Sequence, residues 1–552
     1  MTIRSIPLQN RRWWALGALA LSVLVVGLDL FVLTLALPTL SADLHASTSD
    51  LQWFVDAYSL VLAAALLPAG LLGDRYGRKK LLITALVLFA VASLACAYSS
   101  SSGELIAARA LLGLAAAVIL PLSLAVIPVL FSAEERPKAI AAVGGATFLG
   151  FPIGPVLGGW LLDHFWWGSV FLINVPLTAI GIVAIMALVP ESKSPSPGRI
   201  DYPGVLLSIV GLVLVVYGII QGGDTGSWLR GDVLGPIAGG LAVLGFFVWL
   251  EARTEHPSLD VRLFRDPRLS SAATAIALVF FAMAGVYFFI SFYLQNVRGY
   301  TPLHAGLLTI PLAAGQLISS TRSAGTVRRF GARAVCSTGL LMVAAALVGY
   351  HFLGTTTPIW VLEVAFFAQG FGMGNVMPPA TEAVMSVVPR QRGGAGSAIT
   401  NTSRQVAVAL GVAVLGSILA QAYRSRLAPH LSAVPSAARS AATESISATQ
   451  AVAQQIGGPA GGRLLAAANS SFVHAMHVTS LISVVIAVLG AGAMAIWMPG
   501  RQAAAARAAG ASVATGASVA GVAQRGSAAA GAAGGYPVAN PTPAGGAAGL
   551  EG

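Results

Sequence analysis

Asp29, Asp56 and Arg109 are charged side chains that stand inside long apolar runs of a 552-residue chain. A charge at the centre of a bilayer costs about 2.5–3.5 kcal/mol on insertion scales, so it normally faces a cavity, pairs with another charge and does work. A carboxyl in apolar surroundings resists ionisation. Asp29 and Asp56 are thus candidates to carry a proton or to pair with a cation, and a proton and a cationic molecule competing for one carboxylate would be exchanged. Arg109 cannot realistically lose its proton. It needs a compensating acid, for which Asp29 is the candidate. The plainer readings are that Asp56, only five residues into its run, sits at headgroup level, and that Arg109 bonds backbone carbonyls.

A second group occupies a short loop between two apolar runs: Gly73, Asp74, Arg75, Tyr76, Gly77, Arg78, Lys79 and Lys80. Clustered bases in a short loop mark the cytoplasmic side of a membrane. They do not explain the acid or the glycines. Asp74 with Arg75 and Arg78 could latch a gate, by ion pairing or by facing a helix N-terminus. A third group, Gly150, Gly154, Pro155, Gly158 and Gly159, sets small residues at i, i+4 and i+8, a face that lets helix backbones approach closely. Pro155 leaves a carbonyl unpaired and bends the helix. This is either a hinge or seal, or plain tight packing. Arg404, Gln405 and Glu363 are secondary candidates; Glu363 lies near the end of its run.

The elements that must position these residues are membrane helices. The chain is 56% hydrophobic and 10% charged, against about 25% charged in a soluble domain. Fourteen apolar spans are expected, at about 13–37, 51–72, 81–99, 104–130, 139–162, 168–189, 203–221, 233–251, 270–294, 303–324, 333–353, 358–385, 394–422 and 475–498. The first is too long for a signal peptide. With both termini inside, the loops carry 24 bases on the cytoplasmic side and six outside. This is the topogenic pattern, and the net charge of +11 therefore points to no nucleic-acid partner. Cys96 and Cys336 stand alone in apolar runs, giving no disulfide framework and no metal site. Of the 32 basic residues, 28 are Arg, which with abundant Ala and Gly fits a GC-rich bacterial genome.

The loop Gly325 to Arg333 echoes the first basic loop, with Arg329, Phe330 and Gly331 aligned on Arg75, Tyr76 and Gly77. The expected organisation is all-α and N-in/C-in: a six-helix bundle over 1–189, two inserted helices with a linker over 190–269, a second six-helix bundle over 270–499 with an outer loop at 423–473, and a disordered Ala/Gly-rich tail over 500–552. Paired bundles are a transporter architecture, with the substrate site between them near mid-membrane.

On these motifs the chain resembles the major facilitator superfamily over about residues 13–500. Gly73 to Lys79 is similar to the family's signature loop after the second helix, and Leu105, Arg109 and Gly113 to its fourth-helix motif. Gly150, Gly154, Pro155, Gly158 and Gly159 resemble the fifth-helix motif of drug/proton antiporters. Leu28-Asp29 with Ala36-Leu37-Pro38, and Arg404-Gln405, resemble the fourteen-helix branch of those antiporters. Gln52, Trp53, Asp56, Tyr58 and Leu60 resemble members that export lipophilic cations. Before the stretch Phe171 to Pro176 the family shows Trp-Arg-Trp where this chain has Trp167-Gly168-Ser169, and the second-half loop lacks its acid.

The resemblance implies a monomeric, multi-pass protein of the bacterial inner membrane that exports hydrophobic, cationic drugs or antibiotics by alternating access. Protons and the lipid bilayer are its other partners, and the proton gradient replaces any cofactor. No nucleotide-binding Gly-x-x-x-x-Gly-Lys-Ser/Thr loop and no Gly-x-Ser-x-Gly elbow occurs, so an enzyme is not expected. The rival readings are a dedicated exporter of one self-made metabolite and a non-transporting membrane receptor.

Overall fold

The computed structural model describes residues 8–132, 134–193, 201–254, 261–388, 393–434 and 436–498. The tail 500–552 lies outside the described residues. Among the described residues there is no strand. The first group of helices is α1 (Leu8–Asp43), α2 (Thr48–Tyr76), α3 (Arg78–Ala97), α4 (Ser102–Ala125), α5 (Ile127–Leu130), α6 (Arg136–His164), α7 (Ser169–Leu172) and α8 (Asn174–Leu188). Then come α9 (Tyr202–Thr225) and α10 (Gly231–Arg253). The last group is α11 (Pro267–Phe292), α12 (Pro302–Leu307), α13 (Ile310–Phe330), α14 (Ala332–His351), α15 (Ile359–Val387), α16 (Gly393–Leu427), α17 (Ser436–Glu444), α18 (Ile446–Ile456) and α19 (Gly458–Trp497). Thirteen helical segments are long and apolar enough to cross a membrane, and α2, bent by 55° at its Pro68 break, is the fourteenth when taken as one span.

Their outer faces keep large apolar side chains such as Val91, Val183, Phe246, Leu489 and Trp497 exposed, as a lipid solvent requires. In the first group α1 lies along α6, α2 along α4, and α3 on α4 and α8. In the last group α13 and α14 pack on α15, and α11 on α16 and α19. The α9–α10 pair packs on itself, with α9 against α2 and α16.

Two corners repeat. Gly77 joins α2 to α3 at φ +117°, and Gly331 joins α13 to α14 at φ +85°. Both values favour glycine, which explains why the two basic loops share that residue. Ser47 caps α2, with Asp50 completing a capping box.

Hydrogen bonds between the first and last groups concentrate at the end opposite these corners. Ser41 and Ser445 hydroxyls lie 3.0 Å apart, and Thr48 donates to the Glu444 carbonyl at 2.6 Å. Gln295 donates to the Leu35 carbonyl at 2.8 Å. The deepest such bond runs from Thr402 to the Ala63 carbonyl at 3.3 Å.

One expectation changes shape. The stretch 423–473, read as a polar loop, is mostly helical: α16 runs on to Leu427, α17 and α18 follow, and α19 starts at Gly458, well before residue 475. Alanine carries this helix propensity, while the interspersed Ser, Gln, His and Arg break up any apolar run, so an apolar-run reading misses it.

Candidate functional site

Helices α1, α2 and α4 meet at Arg109. Gly113, one turn further along α4, lets that helix approach the Tyr58 backbone so closely that a Cβ would strike the Tyr58 carbonyl. The approach brings Arg109 to the side of α2. Its Nε donates to the Phe54 carbonyl at 2.9 Å, and its guanidinium lies over the Tyr58 ring, 4.5 Å from the centroid. Its Nη1 donates to Asp29 Oδ2 at 2.5 Å. The other Asp29 oxygen accepts from Asn174 Nδ2 at 3.0 Å, and that nitrogen also lies 3.3 Å from Ser93 Oγ. Asp29 is 2% and Arg109 1% exposed. This is a buried charge pair with its hydrogen bonds satisfied, the condition under which such a pair is tolerated.

Asp56 is different. It is 0% exposed, and neither carboxylate oxygen has a hydrogen-bond partner. Asp56 is therefore not solvated, and the acid that caps α2 is Asp50. Asp56 lies on the α2 face turned to α16: one turn earlier, Gln52 donates to the Val412 and Ala413 carbonyls at 3.1 and 3.2 Å. Arg404 and Gln405 are on α16 as well. The Arg404 guanidinium sits 5.7 Å from the Phe280 ring centroid of α11, and no ion pair to Arg404 is present among the described residues. Gln405 is buried, and Glu363, near the start of α15, is half-buried.

The glycine group divides between two neighbours. A Cβ at Gly150 would sit 2.6 Å from the Gly27 carbonyl carbon of α1, and one at Gly158 2.8 Å from Val32. Gly154 meets Phe31 and Leu28 of the same helix. Gly159 faces elsewhere: its Cβ would lie 2.5 Å from the Pro302 carbonyl of α12, where Gly306 in turn approaches the Pro155 carbonyl. So α6 seats directly on the helix that carries Asp29 and also touches the last group of helices.

In the basic loop Asp74 accepts from Arg78 at 2.7 Å, and Arg78 also donates to the Ala125 carbonyl at 2.9 Å. Arg75 is exposed and lies over Tyr76 instead. Of the two contacts considered for Asp74, the ion pair is the one present. The carboxylate at the α3 N-terminus is Glu191, which accepts from the Lys79 and Lys80 N–H groups at 3.1 and 3.2 Å. A Cβ at Gly77 would meet that carboxylate at 2.9 Å, and Gly73 packs on Leu122.

Sequence reasoning brought Asp29 and Arg109 together but missed Asn174, Ser93 and Glu191. Asn174 lay inside the quoted stretch Phe171 to Pro176; its signal was an amide alone in an apolar run. Glu191 had no signal, because its loop is distant in sequence. Among the described residues no group of three or more His, Cys, Asp or Glu is placed to hold a metal.

A sequence profile of the Major Facilitator Superfamily matches residues 19–412. The chain is 34% identical to the multidrug efflux pump LfrA of Mycolicibacterium smegmatis, over 88% of this chain and 96% of that one. It is 33% identical to the methyl viologen resistance protein SmvA of Salmonella typhimurium (76% and 84%), and 32% identical to the tetracenomycin C resistance and export protein of Streptomyces glaucescens (75% and 77%). A bacterial homologue of the human lysosomal transporter Spinster, solved inward-facing and occupied, superposes with a TM-score of 0.62 at 18% identity, over 90% of this chain and 98% of that one. At that identity the likeness speaks to the fold.

Proposed function

The chain belongs to the major facilitator superfamily, and from that premise we propose that it is a proton-coupled antiporter exporting lipophilic, cationic drugs or antibiotics across the bacterial inner membrane. The observation that carries this reading is Asp56: a fully buried carboxylate with no partner, on the α2 face turned to α16. A bare buried charge is costly. A proton or a cationic substrate each relieves that cost, and only one can do so at a time. Asp29 with Arg109 is the second, already compensated acid, through which protonation would be felt on α1, α2 and α4. The efflux and resistance names of its relatives support the substrate class.

In this reading residues 1–189 and 270–499 are the two bundles that rock, 190–269 is the insertion, and the basic loops are cytoplasmic. The bonds between bundles then lie at the outer end, an inward-open arrangement. Gly150, Gly154 and Gly158 transmit movement of α6 to Asp29, while Gly159 and Pro155 meet the second bundle. The Asp74–Arg78 pair and Glu191 brace the cytoplasmic corner. The proton gradient is the energy source, the reaction needs no cofactor or catalytic residue, and the protein works as a monomer.

The test uses inverted vesicles with an imposed pH gradient and a fluorescent lipophilic cation such as ethidium. Uptake that collapses with an uncoupler and is lost in Asp56→Asn is expected; uptake that survives the uncoupler overturns proton coupling. The relative named for tetracenomycin C export favours a second reading, a dedicated exporter of one antibiotic. A resistance profile confined to a single compound would select it.

A further inference from the structure

Asn174 opens α8 and is fully buried. Its backbone is pinned by Thr178, whose hydroxyl donates to the Asn174 carbonyl at 2.7 Å. Its side-chain Nδ2 reaches both Asp29 and Ser93, while its Oδ1 has no partner. Arg109 offers only donors, so it suits Asp29 as a carboxylate and has nothing to accept an acid proton. A carboxamide has a donor at one end and an acceptor at the other. With Nδ2 toward Asp29 it bonds the ionised form, as seen here. A half-turn of the amide would present Oδ1 to the O–H of the protonated form.

We propose that Asn174 is the positioning residue that holds Asp29 in both of its protonation states and thereby sets the pH at which exchange turns over. The inference rests on the reading of Asp29 as a proton-carrying acid. The charged and titratable groups facing Asp29 are Arg109 from α4, Tyr58 from α2 and Cys96 from α3. Arg109 only donates, the Tyr58 hydroxyl has no hydrogen-bond partner and so does not reach Asp29, and a thiol is a weak partner in either role.

The test measures drug–proton exchange against pH in vesicles for the native protein and for Asn174→Leu. The variant keeps the volume and removes both functions of the amide. Both bonds are lost, but the charge-assisted bond to the carboxylate is the stronger of the two, so the midpoint of the pH–rate profile is expected to move about one unit to higher pH. If Asn174→Leu accumulates poorly, Asn174→Ser is used; its hydroxyl stops short of Asp29 and gives the same displacement. A rate reduced equally at every pH, with the midpoint in place, reduces Asn174 to a packing role and overturns the inference. A native protein showing no gradient-driven exchange at all overturns the underlying reading instead.

Discussion

Asp29 and Asp56 are both buried acids, and their surroundings divide their work. Asp29 has Arg109 on one oxygen and Asn174 on the other. Removing one member of such a pair strands the other, so Arg109→Ala should destabilise the protein by about 3–5 kcal/mol. Thermal unfolding in detergent measures this, and adding Asp29→Asn to that variant should recover part of the loss, because the stranded charge is gone. Asp56→Asn behaves oppositely: no bond is broken, so the melting temperature holds or rises, while cation export falls at least about tenfold, equivalent to about 1.4 kcal/mol or more. A matching loss of stability would mean that Asp56 has a structural partner. All three charges were legible in the sequence because charges are rare in apolar runs. The Phe54 carbonyl was not, since every residue has one, and no periodicity marks which carbonyl an arginine will reach.

Helices were the most legible level. Apolar runs of membrane length gave the spans, and the paired glycines gave the corners at Gly77 and Gly331. The helices of 423–473 were not legible, because Ala, Ser and Gln carry neither a lipid-facing pattern nor a charge pattern. The face of α6 was readable only as a spacing; its neighbour α1 emerges from the packing. That neighbour gives a contrast between glycines of one helix. A Cβ at Gly150 would sit 2.6 Å from α1 backbone, whereas Gly144 and Gly145 have nothing within 4 Å. Gly150→Val should therefore cost about 1–3 kcal/mol by overpacking and abolish export. Gly145→Ala should leave both intact. Equal sensitivity in melting and export assays would show that α6 does not depend on seating against α1.

For the whole molecule, alternating access requires that the seam opposite the Gly77 and Gly331 corners part. Ser41 and Ser445 face each other across it at 3.0 Å. A Ser41→Cys, Ser445→Cys protein should lose export on oxidation and regain it with reductant; undiminished export in the cross-linked form would exclude opening at this seam. The seam should also respond to pH. Burial, with the Asp50 and Asp224 carboxylates nearby, pushes the Glu444 carboxyl above its ordinary value, and His45 opposes this. A raised acid binds its proton more readily in the folded form, so the closed seam loses stability as pH rises between the ordinary and the raised value. Cross-linking rates that fall over that interval, and become flat in Glu444→Gln, are the expected result. The contrast between the two acids also bears on how drug resistance evolves. A change at Asp29, Arg109 or Asn174 disturbs several partners at once and drops a marginally stable protein below the threshold for accumulation. Asp56 carries no such debt to its neighbours. Under selection by a new drug, heritable changes in spectrum should accumulate there first, while the paired site stays silent.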